Sequence, residues 1–250
     1  MPSIHKKVTW SLVNITSIKT NTIETVKEEA KSHGIEQKTL TLVLLAAGKS
    51  SRFNGIKLAQ PITDLNANNV LVEQPLLLHS LDKLNHLADY LTSQNITNNI
   101  VVILGNHHDT LSKLLPSSAA YMINEKSDFG LSTSVKVGVE AALSANANGL
   151  LLALGDHIGV TYQHYIKLAD LWLTQQNSVC ASYQAQLGVP AIFDSEQFEA
   201  LTYLKGDQGA KPVLQQLAQN HRLTCLDLPN AINDIDTLDD FLKWQQQLEN

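Results

Sequence analysis

Cysteine is scarce in this chain of 250 residues: Cys180 and Cys225 stand far apart and at no metal-type spacing. That excludes a disulfide framework and points to a reduced compartment. Twelve glycines and seven prolines are too few for a collagen-like or linker-dominated chain. Basic charge is in deficit as well, with 18 Lys and Arg against 24 Asp and Glu and a net charge of −6. Proteins that grip long nucleic acid gain from counterion release at many cations, so no nucleic-acid partner is expected. Nor do Trp10, Trp172 and Trp244 interleave with cations as a base-stacking surface would. Apolar runs such as Leu42–Ala47 and Leu150–Leu154 are strand-sized, far below the roughly 18–20 residues that span a bilayer. The stretch Val8–Asn14 after His5-Lys6-Lys7 is too short and polar for a signal-peptide core. A cytoplasmic protein with no membrane partner is the expectation.

Against these absences, hydrophobic residues make up 44% of the chain, enough for a substantial core. Residues 1–38 read as an N-terminal extension of unknown role, with an edge-strand pattern over Val8–Ile18 and a short helix over Thr22–His33. From position 39 to 250, strand and helix alternate. The apolar, β-rich runs Leu40–Leu45, Ile100–Leu104 and Leu150–Leu154 predict buried strands, joined by Ala120–Asn124 and Ser178–Tyr183. Helices are predicted over 75–91, 132–143, 162–176, 196–204, 209–219 and 238–248. Strands without alternation, each followed by a helix, predict an α/β domain with a parallel sheet covered on both faces. Ligands of such sheets sit beyond the carboxyl ends of the strands, which directs attention to the loops after Leu45, Ile123 and Leu154.

The loop after Leu45 reads Ala46-Ala47-Gly48-Lys49-Ser50-Ser51-Arg52-Phe53-Asn54-Gly55-Ile56-Lys57. Small residues let backbone N–H groups approach an anion, and Lys49, Arg52 and Lys57 supply cations, as a phosphate chain requires. A solvated surface loop is the alternative. The P-loop pattern fails, because Val43 stands where its first glycine belongs, and no dinucleotide fingerprint is present. Asp156, at the end of a buried strand in Gly155-Asp156-His157, suits Mg²⁺, which takes one or two carboxylates and phosphate oxygens; it could also cap the next helix. Asp234 and Asp236, one residue apart, could reach a shared metal. His157 suits either a contact with an acceptor or metal, or a core histidine held by backbone. His107-His108-Asp109 reads as a solvated helix start.

Six ordered blocks then carry a resemblance. Leu45 to Lys57 fits L-A-A-G-x-S-S-R-x-G-x-x-K except for Asn54 at the second glycine. Asn124 to Lys136 fits N-x-x-(F/W)-x-x-G-x-x-x-S-(V/L)-K except for Ser127 at the aromatic position. Gly155-Asp156-His157-Ile158 matches G-D-x-P but for Ile158, and Gly188-Val189-Pro190-Ala191-Ile192-Phe193 matches G-x-P-x-(L/I)-F. Leu204–Leu214 and Asp234–Phe241 complete the set, as L-x-G-D-x-G-A-(R/K)-x-x-L and D-I-D-T-x-x-D-(F/L). Together they resemble the MobA-like nucleotidyltransferase family, most closely its molybdenum cofactor cytidylyltransferase branch.

The resemblance implies a Rossmann-like three-layer sandwich of the nucleotide-diphospho-sugar transferase type and an Mg²⁺-dependent transfer of CMP from CTP, or of another NTP's nucleotidyl group, to molybdopterin. Arg52, Lys57 and Asp156 would be catalytic, the first two on the triphosphate. Asp156 and Asp236 would hold the metal. Leu45, Ala46, Ala47, Gly48, Ser50, Ser51, Asn124, Ser132, Ser134, Lys136 and Gly155 would bind nucleotide, and His157, Gly188, Pro190 and Asp207 would lie on the acceptor side. A methyl at Ala47 would favour a pyrimidine base. Alternatives are another phosphorylated acceptor, such as a sugar or polyol phosphate, or a catalytically weak accessory protein for maturation of a molybdenum hydroxylase apoenzyme.

Overall fold

A computed structural model describes residues 37–50, 53, 55–65, 70–229 and 240. The elements expected over residues 8–18, 22–33 and 238–248 lie outside these, apart from position 240, as do Ser51, Arg52, Asn54, Asp234 and Asp236. The fold starts from β1 (Thr39–Ala46), in which every residue after the first is buried. Its side chains alternate between two cores. Leu40, Leu42 and Leu44 join one cluster, Val43 and Leu45 the other, as period-two geometry requires of a strand covered on both faces.

The first cluster is closed by α1 (Leu76–Ser93) and α4 (Tyr162–Gln175). Leu77, Leu81, Leu84, Leu87 and Leu91 supply the apolar stripe of α1, and Leu168 and Trp172 that of α4. On the other face lie α3 (Leu131–Ser144), α5 (Phe198–Thr202) and α6 (Lys211–Gln219), packing Val135, Val139, Leu201 and Leu214 into the second cluster. Helix, sheet and helix make the expected three layers.

Seven strands form the sheet, in the order β5–β4–β1–β6–β8–β7–β9. The further strands are β4 (Thr97–Leu104), β5 (Ala120–Ile123), β6 (Gly149–Leu154), β7 (Ser178–Tyr183), β8 (Gln186–Asp194) and β9 (Leu223–Asp227). A short helix α2 (His108–Leu114) precedes β5, and a two-stranded hairpin, β2 (Pro61–Leu65) with β3 (Leu71–Pro75), precedes α1. All pairings in the large sheet are parallel except those of β8, which runs antiparallel to β6 and β7. Two differences from the sequence expectation stand out. The hairpin β2–β3 was not expected as strands, and the chain after β7 reverses into β8 before any helix. Strand order changes direction between β1, which continues outward to β4 and β5, and β6, which starts the other half. That switch point opens a crevice beyond the carboxyl ends of β1 and β6.

Candidate active site

A cavity of about 500 Å³ fills that crevice. Leu45, Ala47, Gly48 and Ser50 from the β1 loop line one side, and Leu154 and Asp156 from the end of β6 another. The loop is held without regular structure. Ser50 has φ +53, its carbonyl accepts from Phe53 N–H at 2.9 Å, and its hydroxyl accepts from Lys57 N–H at 3.1 Å. A single-turn 3-10 segment, Lys57–Ala59, then brings Lys57 back beneath the loop.

Lys57 Nζ lies 2.6 Å from Asp156 Oδ2, with side-chain exposures of 11% and 26%. The ion pair offsets the cost of holding the two groups in a partly dry crevice. The pair joins the phosphate-type loop to the acidic strand end 99 residues later. Among the described residues no group of three or more His, Cys, Asp or Glu could hold a metal. An ion that takes one or two carboxylates and completes its shell with phosphate oxygens fits this donor set, and Asp156 would hold it.

The wall opposite comes from the start of α3. Asn124, 3% exposed, donates to Thr133 Oγ1 at 2.8 Å and Ser134 Oγ at 2.9 Å, while its own Oδ1 accepts from Lys126 N–H. This fixes Ser134 at the cavity. Asp128 faces Lys49 across the mouth at 2.9 Å, and that hydrogen bond, aided by one from Asn106, holds its carboxyl below the usual range. The ring of His107 hydrogen-bonds the Lys49 carbonyl at 3.1 Å, so the helix start read as merely solvated also braces the loop. Gly130 lies against Gly206, whose carbonyl accepts from Ser132 N–H at 3.1 Å. That contact brings Asp207 to the cavity.

Of the residues singled out in the sequence, Leu45, Ala47, Gly48, Ser50, Lys57, Ser134, Asp156 and Asp207 meet at one cavity. Ala46, Gly155 and Ser132 are buried beside it. Lys136 lies elsewhere, lining a separate hollow of about 540 Å³ with Asn124, Lys126 and Glu140. His157, 8% exposed, stands edge-on to Tyr183 at 6.4 Å between centroids, and the Tyr183 hydroxyl donates to the Val189 carbonyl at 2.6 Å. Gly188 packs on the same ring, and Pro190 follows a cis peptide bond. His157 and the Gly188–Pro190 segment thus gather around Tyr183 rather than at the cavity. Ser127, Asp128, Leu131 and Leu58 line the cavity without having been expected there; within the matched block Asp128 and Leu131 stand at unspecified positions and Ser127 at the aromatic position it fails to match.

One buried cation sits behind the site. Lys83 of α1 has Asp64 at 3.9 Å, yet burial outweighs that attraction and brings its ammonium down to about 8. Unfolded lysine titrates near 10.5, so between these values the unfolded chain binds more protons and Lys83's contribution to stability rises with pH. Urea midpoints at about pH 7.5 and about pH 10 should show wild type gaining on Lys83→Met. A pH-independent difference would refute the burial penalty.

A model of the MobA-like NTP transferase domain matches residues 42–222. The purine catabolism protein PucB of Bacillus subtilis is 26% identical over 209 residues, spanning 80% of this chain and 92% of its own. Among solved structures, Rv0371c of Mycobacterium tuberculosis superposes with a TM-score of 0.65 at 21% identity, covering 84% of this chain and 99% of that one. Rv0371c has also been solved in complex with manganese. The 4-diphosphocytidyl-2C-methyl-D-erythritol synthase of Anaerococcus prevotii superposes with a TM-score of 0.62 at 12% identity, over 85% of this chain and 97% of its own. The chain belongs to the MobA-like NTP transferase family and is a nucleotidyltransferase of the nucleotide-diphospho-sugar transferase fold. Among the described residues no helix is long and apolar enough to cross a membrane.

Proposed function

We propose that this MobA-like nucleotidyltransferase transfers CMP from CTP to a molybdopterin-type cofactor and releases pyrophosphate, with Mg²⁺ as the metal. The observation that carries the reading is the Lys57–Asp156 pair at 2.6 Å, facing a cavity roofed by Ala47 and Gly48. Phosphoryl chemistry of this kind needs positioning and cation clamps rather than a protein nucleophile. Mg²⁺ on Asp156, with Asp236 as second ligand, would neutralise phosphate charge. Lys57 and Arg52 would bind the triphosphate. An oxygen of the acceptor's phosphate attacks the α-phosphorus in line, forming the new P–O bond as the bond to the β-phosphate's bridging oxygen breaks. Lys57 stabilises the charge that builds on departing pyrophosphate. Ala47 lines the cavity, and a methyl in place of a glycine hydrogen at this position would narrow the space for a base, which would favour a pyrimidine over a purine. Asp207, which lines the cavity, is assigned to the acceptor, and His157, Gly188 and Pro190 would meet it only where it extends toward Tyr183. Delivery to a molybdenum hydroxylase apoenzyme in the cytoplasm would follow.

The cytidylyl and erythritol terms in the Anaerococcus neighbour's name support a second reading, transfer to a polyol or sugar phosphate. Pyrophosphate release separates the two. Purified protein with Mg²⁺ is given each of the four NTPs and either molybdopterin or a sugar or polyol phosphate. Release with CTP and molybdopterin is expected. Release only with a sugar or polyol phosphate transfers the assignment to the second reading, and none with any acceptor overturns both, leaving a nucleotide-binding accessory role.

A further inference from the structure

The connection from β6 to α4 is fastened to α1 at three successive turns of that helix. Ser80, 2% exposed, donates its hydroxyl to the Gly155 carbonyl at 2.7 Å. Lys83 Nζ donates to the Ile158 carbonyl at 2.8 Å. His86 lies against Tyr162, with ring centroids 5.3 Å apart. Residues three apart share one stripe of a helix, and the first two carbonyls held by this stripe bracket Asp156 and His157.

Packing alone does not account for Lys83. Its side chain is 12% exposed, its carboxylate neighbour Asp64 is 3.9 Å away, and burial works against its charge. An apolar side chain of similar length would fill the space at lower cost. What the ammonium adds is a charge-assisted hydrogen bond to one backbone carbonyl. That carbonyl belongs to a turn with little reinforcement of its own. Position 158 is Ile rather than a conformationally fixed proline, and the turn's internal bonds are Ile158 N–H to the Asp156 carbonyl at 3.0 Å and Val160 N–H to the His157 carbonyl at 3.3 Å. On its other side, Gly155 N–H donates to the Leu45 carbonyl at 3.0 Å. The segment is therefore strung between β1 and α1.

The geometry points to Ser80 and Lys83 as positioning residues that hold Gly155–Ile158 so that the Asp156 carboxylate stays aimed into the nucleotide cavity. This rests on the reading of Asp156 as a metal ligand. Partners behind a ligand commonly change metal affinity by about 10- to 100-fold when removed, whereas neither Ser80 nor Lys83 lines the nucleotide cavity itself.

Mn²⁺ uptake by the full chain in the presence of CTP, with the other NTPs in parallel, is read by paramagnetic resonance of the free ion. CTP binding in EDTA and the melting temperature are read on the same samples. Ser80→Ala and Lys83→Met are each expected to weaken Mn²⁺ uptake about 10-fold while metal-free CTP binding stays near the wild-type value. Ser80→Thr, which keeps the hydroxyl, should retain wild-type Mn²⁺ affinity. Variants that match wild type in Mn²⁺ uptake overturn the proposal, as do variants that lose CTP binding in EDTA to the same extent. No Mn²⁺ uptake by wild type with any NTP would instead overturn the Asp156 reading itself. Should Lys83→Met fail to fold, the two Ser80 variants decide.

Discussion

Asp156→Asn and Lys57→Ala are each expected to lower turnover by about 10²- to 10³-fold, the loss associated with removing one charge-stabilising group from a preorganised site. The two residues face each other at 2.6 Å across the crevice between β1 and β6. Asn at 156 keeps the volume but gives up the negative charge that a divalent ion needs. Ala at 57 removes the cation nearest the carboxylate, and with it a charge available to departing pyrophosphate. Because both act on one charge distribution, the double variant should fall short of the product of the single losses. Steady-state pyrophosphate release reads the rates, and far-ultraviolet circular dichroism checks the fold. Activity within a few-fold of wild type for either variant would mean that the crevice is not where the transfer occurs. The pair also has a structural side. Each single substitution removes the ion pair that joins the β1 loop to the end of β6, at a cost of about 1–3 kcal/mol, so both variants should melt below wild type.

That crevice is largely legible in the amino-acid sequence. The short apolar runs at Leu40–Leu45 and Leu150–Leu154, each followed by a helix, point to a sheet covered on both faces, and the polar residues that end them then lie at its ligand-binding edge. Asp156 follows from this logic alone. The remaining features depend on contacts that leave no local pattern. The reversal from β7 into β8 passes through Gln184 and Ala185, both with positive φ, at 47° and 64°. Such a turn normally announces itself through Asn or Gly; here tertiary pairing of β8 with β6 imposes the conformation on residues that carry no turn signal. The bond from Ser80 to Gly155 and that from Lys83 to Ile158 each span 75 positions, and on α1 these side chains read only as polar members of an amphipathic helix. Lys49 is a different case. The sequence presents it as a free loop cation, whereas Asp128, 79 positions away, engages it through both side chain and carbonyl.

Gly130→Ala should be among the most destabilising substitutions at the site, at about 2–5 kcal/mol, from backbone strain and overpacking together. Gly130 has φ +102 and ψ 173, a conformation almost confined to glycine. An added Cβ would stand 2.3 Å from the Gly206 carbonyl carbon and 2.7 Å from Asp207 N. Those neighbours are backbone and cannot swing aside, so the 204–210 loop must move off the start of α3. Moving it breaks the bond from Ser132 N–H to the Gly206 carbonyl and draws Asp207 away from the cavity it lines. Gly206→Ala is the matched control. Gly206 also has positive φ, at +58, but nothing lies within 4 Å of its Cβ position, so only the backbone penalty of about 1–2 kcal/mol applies. Thermal melts of the two variants separate strain from collision. Gly130→Ala should melt roughly 5–10 °C below Gly206→Ala in a chain of this size, and at temperatures where both are folded it should also bind nucleotide more weakly. Equal melting shifts would mean that the loop and α3 do not touch as described, and that Asp207 reaches the cavity by some other support.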